Sequence, residues 1–369
     1  MKHKKRIVIK FGTTSITNQT ECLSRPNILE FVRQIAQLHA EEVDLIIVSS
    51  GAVAAGREVL QQPKISKELP SKQMFSSVGQ SRLVQLWGSM FAYYGIDVGQ
   101  ILLTRADLKN RHRYLNIRDT LEALLSHRVI PVINENDSVA TEEIRVGDND
   151  NLSARVANLL GADLLILLTD QQGLYDRDPR KDSDAVLINT VEHIDETLIQ
   201  IASGGSDLGT GGMVTKIEAA QIATQSGTPT VIAMFSEKDV IIRLSHSEKI
   251  GTRFLSMTTP RESRKRWLFS EHPQGVVQVD AGALKRIADE GASLLPVGVV
   301  GVEGGFERGA VVSVTSAEKK PVAVGVTSYS NEEIQKIKGQ RSQLIEEILG
   351  YSYGNEVIHR ESMASMKEK

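Results

Sequence analysis

Short apolar runs rich in β-branched residues alternate with longer stretches whose apolar positions recur every three or four residues, up to about Phe254. Ile7–Lys10, Asp44–Ser49, Gln100–Thr104, Val129–Asn134, Leu164–Thr169 and Thr230–Met234 are the expected strands. Between the first two, Ile28, Val32, Ile35 and Leu38 share one face of an amphipathic helix. Ile117, Leu121, Leu124 and Leu125 repeat that spacing further on. Strands that are apolar on both faces and separated by helices predict an α/β fold, a mainly parallel sheet sandwiched by helices. Ligands of such sheets lie beyond the carboxyl ends of the strands. The sequence places Ser49-Ser50-Gly51, Asn134-Glu135-Asn136-Asp137 and Thr169-Asp170 there.

The rhythm changes near Ser256–Arg266, where Thr258-Thr259-Pro260 leads into Arg261, Arg264, Lys265 and Arg266. This reads as a linker with a solvated charge run. Beyond it, Val276–Val279, Val297–Val302, Ala310–Val314 and Ala323–Thr327 are separated by glycine-containing turns. They predict a small, mostly β domain with one helix near Ala283–Asp289. The expected division is a first domain over 1–258, a linker over 259–274 and a tail domain over 275–357.

Composition narrows the functional classes. With 369 residues, 41% hydrophobic and 24% charged, the chain reads as a globular protein of one large and one smaller domain. A net charge of -3 argues against general attraction to nucleic acid. The single cysteine, Cys22, cannot form an internal disulfide, which favours a reducing compartment. The basic start Met1–Arg6 resembles a signal n-region, but the apolar stretch after it breaks at Lys10 and Gly12. No apolar run approaches the roughly 20 residues that span a bilayer. The expected location is the cytoplasm.

Four segments carry candidate chemistry. Lys10 ends the first strand before Gly12-Thr13-Thr14-Ser15, and a lysine among apolar residues should emerge into the crevice at the sheet's end. An exposed edge strand would explain it more plainly. Ser50–Gly56 is a strand-to-helix turn of small residues that lets backbone approach an anion. Neither a G-x-G-x-x-G fingerprint nor a G-x-x-x-x-G-K-[ST] phosphate loop is present. Gly147-Asp148-Asn149-Asp150-Asn151 precedes the apolar helix Leu152–Leu160. A calcium loop fails, since Ser153 and Leu159 stand where Gly and Glu are needed. Capping needs only one such residue, so the run points to organisation of a substrate. Gly209-Thr210-Gly211-Gly212 feeds a helix with Lys216 in its first turns, against the macrodipole preference unless an anion binds there. A flexible surface turn is the plain alternative. The histidines show no metal-ligand spacing, and no Ser-His-Asp order or cysteine nucleophile stands out.

Taken together, Val8–Thr13, Ser50–Arg57, Pro131–Asp137, Val146–Ser153 and Gly209–Met213 resemble the amino-acid kinase family, specifically its bacterial glutamate 5-kinase branch. The resemblance covers essentially the whole chain, and the tail looks like a PUA domain. It implies ATP-dependent phosphorylation of the γ-carboxylate of L-glutamate, the first step of proline biosynthesis. Lys10 and Lys216 would contact the ATP phosphates. Thr169, Asp170 and the loop Thr210, Gly211, Gly212, Met213, Val214, Thr215 and Lys216 would form the nucleotide site. Ser50, Asp137 and Asn149 would hold glutamate, with Asp148 and Asp150 organising the lysines and the substrate ammonium. The resemblance further implies Mg²⁺ with ATP and no metal held by the protein alone. It also implies inhibition by proline, a homo-oligomer and handover of product to glutamyl-phosphate reductase. Phe11 and Arg145 depart from the family pattern, and an arginine fork is not equivalent to an ammonium.

The chemistry agrees independently. A glutamate side chain, with a pKa near ~4.3, is already an anionic nucleophile, so no general base is required. Repulsion between a carboxylate and a triphosphate is the obstacle, which two lysines and Mg²⁺ would relieve. Aspartate, acetylglutamate or carbamate kinases are the nearest alternatives. An RNA-binding protein acting through the tail is a different one, against which stand the slightly acidic chain and the absence of interleaved aromatics in the tail.

Overall fold

Strands apolar on both faces need cover on both, and a computed structural model describing residues 4–61, 68–140, 149–203 and 212–366 provides it. Two compact units divide the chain, Met1–Pro260 and Arg261–Lys369. In the first, β1 (Arg6–Phe11), β2 (Asp44–Ser49), β3 (Val98–Leu103), β4 (Ile130–Glu135), β5 (Leu164–Thr169), β6 (Thr190–Val191), β7 (Thr230–Met234) and β8 (Thr252–Phe254) form one sheet. Its order is β3-β4-β2-β1-β5-β7-β8-β6. All neighbouring pairs are parallel except β7 and β8. The six longer strands fall where the hydrophobic pattern puts them, to within two residues at either end. β6 and β8 are too short to show a period of two, and the sequence reading lacks them.

Residue alternation along β1 assigns the two layers. Ile7, Ile9 and Phe11 join the core beneath helices Arg25–Ala40 and Leu69–Ala92. Val8 joins the opposite core, with helices Asn149–Leu160 and Gly212–Gln225. Lys10 shares the parity of Val8 and therefore faces this second pair of helices. β1 lies between β2 and β5, so the exposed-edge explanation of Lys10 is excluded. The chain leaves β4, next to β2, and returns in β5 on the other side of β1. Helix Asn149–Leu160 makes that crossing, and the strand order reverses beside β1, the position where α/β sheets open a binding crevice.

The second unit carries a mixed sheet of β9 (Gly275–Val279), β10 (Val299–Glu303), β11 (Val311–Ser316), β12 (Pro321–Val326) and β13 (Met363–Ser365), in the order β10-β9-β11-β12-β13. Its own core includes Val277, Val312, Val314, Tyr329 and Ile358. Helix Ala281–Glu290 stands where one was expected, capped by Asp280. Helices Asn331–Ile337 and Ile345–Leu349 were not anticipated. The charge run after Pro260, expected as part of a linker, lies in a helix, Pro260–Ser270. Among the described residues no helix is long and apolar enough to cross a membrane.

Candidate active site

At the end of β1, Lys10 is buried at 4% exposure. A lysine buried among apolar strand residues needs a partner, and it has one. Its Nζ lies 2.6 Å from Oδ1 of Asp150, in the first turn of helix Asn149–Leu160. Lys216, from helix Gly212–Gln225, reaches Oδ2 of the same carboxylate at 3.2 Å and donates to the Gly212 carbonyl at 2.9 Å. Thr215 Oγ donates to Asp150 Oδ2 at 2.8 Å. Three segments far apart in sequence thus converge on one carboxylate.

One anion between two cations leaves a buried excess of positive charge. Burial opposes ionisation of Asp150, but Lys10 and Lys216 outweigh it and hold the carboxyl down to about 2. Burial also lowers the Lys10 ammonium below the ordinary lysine range; Asp150 resists the shift and Lys216 adds to it. A Cβ placed on Gly12 would stand 3.4 Å from Lys10 Nζ, so this glycine keeps the space beside the ammonium clear. A bound anion would satisfy both the charge and the adjacent N-terminus of helix Gly212–Gln225.

A second cluster adjoins the first because Asn149 precedes Asp150. Asn149 Nδ2 donates to Ser50 Oγ at 2.8 Å and to Asn134 Oδ1 at 2.9 Å. Asn134 Nδ2 donates in turn to Gln80 Oε1 at 2.8 Å. Ser50 follows β2 and stands just before Gly51, whose φ of +108° turns the chain into helix Ala52–Leu60. Neither Asn149 nor Asp150 spends its side chain on capping the helix they begin.

Asp137 follows β4 and accepts from Ser76 Oγ at 2.5 Å. Ser76 and Gln80 are four residues apart on helix Leu69–Ala92, so that helix face supports both Asp137 and the amide cluster. Burial raises the Asp137 carboxyl above its usual range, with the Ser76 hydrogen bond opposing. Thr169 ends β5 and its hydroxyl donates to Oδ1 of Asp170, the next residue, at 3.1 Å. Val214 and Thr215 are buried, whereas Gly212 is exposed and Met213 half-buried, so the helix start presents backbone outward. Asp148, Arg145, Thr210 and Gly211 lie outside the described residues. Gln80 and Ser76 were missed in the sequence. Their only signal is polarity on a helix face that otherwise buries Phe75, Gly79, Leu83 and Trp87.

Comparison with known proteins accords with this architecture. The model of the amino acid kinase family matches residues 5–234, and that of the PUA domain matches residues 275–349. A glutamate 5-kinase of Haemophilus influenzae (strain PittGG) is 51% identical over 363 residues, covering 98% of this chain and 99% of the relative. Glutamate 5-kinases of Pasteurella multocida (strain Pm70) and Cronobacter sakazakii (strain ATCC BAA-894) are each 50% identical over 364 residues, with the same coverage.

Proposed function

The chain belongs to the amino acid kinase family, in its glutamate 5-kinase branch, and from that premise we propose that it phosphorylates the side-chain carboxylate of L-glutamate with ATP. The observation that carries this reading is the sharing of buried Asp150 by Lys10 and Lys216, a cationic site without its full complement of anion. A γ-carboxylate oxygen attacks the γ-phosphorus, the bond from that phosphorus to its bridging oxygen breaks, and the electron pair leaves with ADP. The products are L-glutamyl 5-phosphate and ADP, in the first step of proline biosynthesis.

Lys10 and Lys216 stabilise charge on the transferring group. Asp150 holds both ammoniums in place, with Asp148 beside it in sequence. The start of helix Gly212–Gln225, with Thr210, Gly211, Gly212, Met213, Val214 and Thr215, takes the phosphates through backbone N–H groups. Thr169 and Asp170 complete the nucleotide side. Ser50, Asn149 and Asp137 hold glutamate. Mg²⁺ enters with the ATP phosphates, since the Asp150 carboxylate is already ion-paired on both oxygens. Proline, which shares an α-carboxylate and a cationic nitrogen with glutamate, competes at the acceptor subsite. Cytoplasmic location, homo-oligomer assembly and product handover to glutamyl-phosphate reductase complete the proposal.

ADP release measured with glutamate, aspartate and acetylglutamate as acceptors tests it. Glutamate is expected to be preferred; equal or better turnover of another acceptor would reassign the substrate.

A further inference from the structure

A backbone N–H can only donate, and one such group fixes the polarity of the acceptor cluster. The N–H of Glu135 donates to Asn134 Oδ1 at 2.9 Å, which settles which end of the Asn134 amide is oxygen. Asn134 Nδ2 must then face Gln80, and Gln80 must answer with Oε1, as it does at 2.8 Å. On the other side, Asn149 can meet Asn134 Oδ1 only with its Nδ2. The same Nδ2 donates to Ser50 Oγ, which leaves the Ser50 hydroxyl hydrogen free to donate elsewhere. Asn149 Oδ1 remains buried and without a hydrogen-bond partner among the described residues.

We infer that Gln80 is a positioning residue which, through Asn134, holds Asn149 with Oδ1 turned to accept the ammonium of the amino-acid substrate. The inference rests on the acceptor subsite proposed above and deepens it. A carboxamide rotated by half a turn would present a donor to that ammonium and repel it. Gln80 is suited to the task because it cannot easily leave. A Cβ on the preceding Gly79 would stand 1.9 Å from the Ala52 carbonyl oxygen, so the helix runs backbone against backbone there. Gln80, Asn134 and Asn149 are all buried, which removes competing water. The pair of groups left over, an amide oxygen and a hydroxyl hydrogen, complements the ammonium and a carboxylate oxygen of an α-amino acid.

Gln80→Met keeps the unbranched shape and removes the acceptor, while Gln80→Glu keeps an acceptor oxygen. Steady-state kinetics with glutamate and ATP, and inhibition by glutarate, which lacks the ammonium, separate positioning from mere packing. Gln80→Met is expected to raise KM for glutamate about tenfold, the equivalent of one buried hydrogen bond. KM for ATP and the inhibition constant of glutarate should each change less than about twofold, since neither depends on ammonium recognition. Gln80→Glu should recover most of the glutamate affinity. Equal losses for glutamate and glutarate, an unchanged glutamate KM in Gln80→Met, or no recovery in folded Gln80→Glu would overturn the inference and leave the kinase reading intact. Failure of the unaltered chain to release ADP with glutamate would instead overturn the kinase reading, and this inference with it.

Discussion

At the scale of single residues, the two lysines differ from ordinary surface cations in having no room to be solvated. Lys10 and Lys216 are buried around Asp150, so phosphate is their natural further partner. Lys10→Ala and Lys216→Ala should each lower kcat by about 10²–10³ with circular dichroism preserved. Near-normal turnover in either folded variant would remove that lysine from the mechanism. The depressed Lys10 pKa has a pH consequence. The free enzyme should lose this charge below the ordinary lysine range, so kcat/KM for ATP should fall on the alkaline side earlier than a solvated lysine would dictate. Lys10→Arg should remove that early fall in whatever activity remains; an identical alkaline limb would assign it to another group. Asp150 has the opposite sign: its folded pKa of about 2 lies below the usual 3.8. Its stabilising contribution is full above the unfolded value and is lost as pH falls through about 2, so it leaves the alkaline limb untouched. Lys10, Lys216, Asn149 and Asp150 were legible in the sequence because each interrupts or punctuates a strong pattern. Gln80 was not, since one glutamine in a long helix breaks no rule until its partner is in place.

Among elements, the acceptor side of the site depends on a close packing of the two helices that connect β2 to β3. Helix Leu69–Ala92 meets helix Ala52–Leu60 through Gly79 and Gly56, where an added Cβ would stand 1.9 Å from a backbone oxygen in either case. Backbone cannot yield as a side-chain tip can. Gly79→Ala should therefore destabilise at or above the upper end of about 1–3 kcal/mol and raise KM for glutamate by displacing Ser76 and Gln80. Thermal denaturation with acceptor kinetics checks this, and an unshifted melting point would show that the helices separate freely. The segment after β4 sets the second element-scale test. Asp137 is held by Ser76 on that helix, and Asn149 begins the helix crossing to β5. Asp137→Ala and Asn149→Ala should raise KM for glutamate at least tenfold more than KM for ATP. If ATP affinity collapses instead, the two subsites are reversed. The strands and long helices behind this geometry were readable because burial on both faces writes a continuous apolar signal. The glycine crossing was not, because a close approach leaves no mark in periodicity.

On the scale of the whole molecule, the residues assigned to chemistry all precede Ser236, within the unit Met1–Pro260. That unit has its own two-layered core, and the unit Arg261–Lys369 has a separate one built on its mixed sheet. A core that closes without help from the rest of the chain is the physical condition for independent folding. The cut must respect one contact the sequence did not disclose. A Cβ on Gly227 would stand 2.3 Å from the Pro260 nitrogen, so Thr259–Pro260 packs closely on Gly227 within the first unit. A chain ending at Arg261 keeps that contact, whereas one ending at Met257 loses it. The first should fold and retain glutamate-dependent ATP turnover within about threefold of the full chain, because no transition-state contact is removed. The second should be less stable, as the buried backbone around Gly227 loses its cover. Urea denaturation and ADP release on both chains decide the matter. A well-folded 1–261 chain without kinase activity at saturating ATP, Mg²⁺ and glutamate would mean that the PUA domain completes the active site, and the separation of chemistry from the tail would fall.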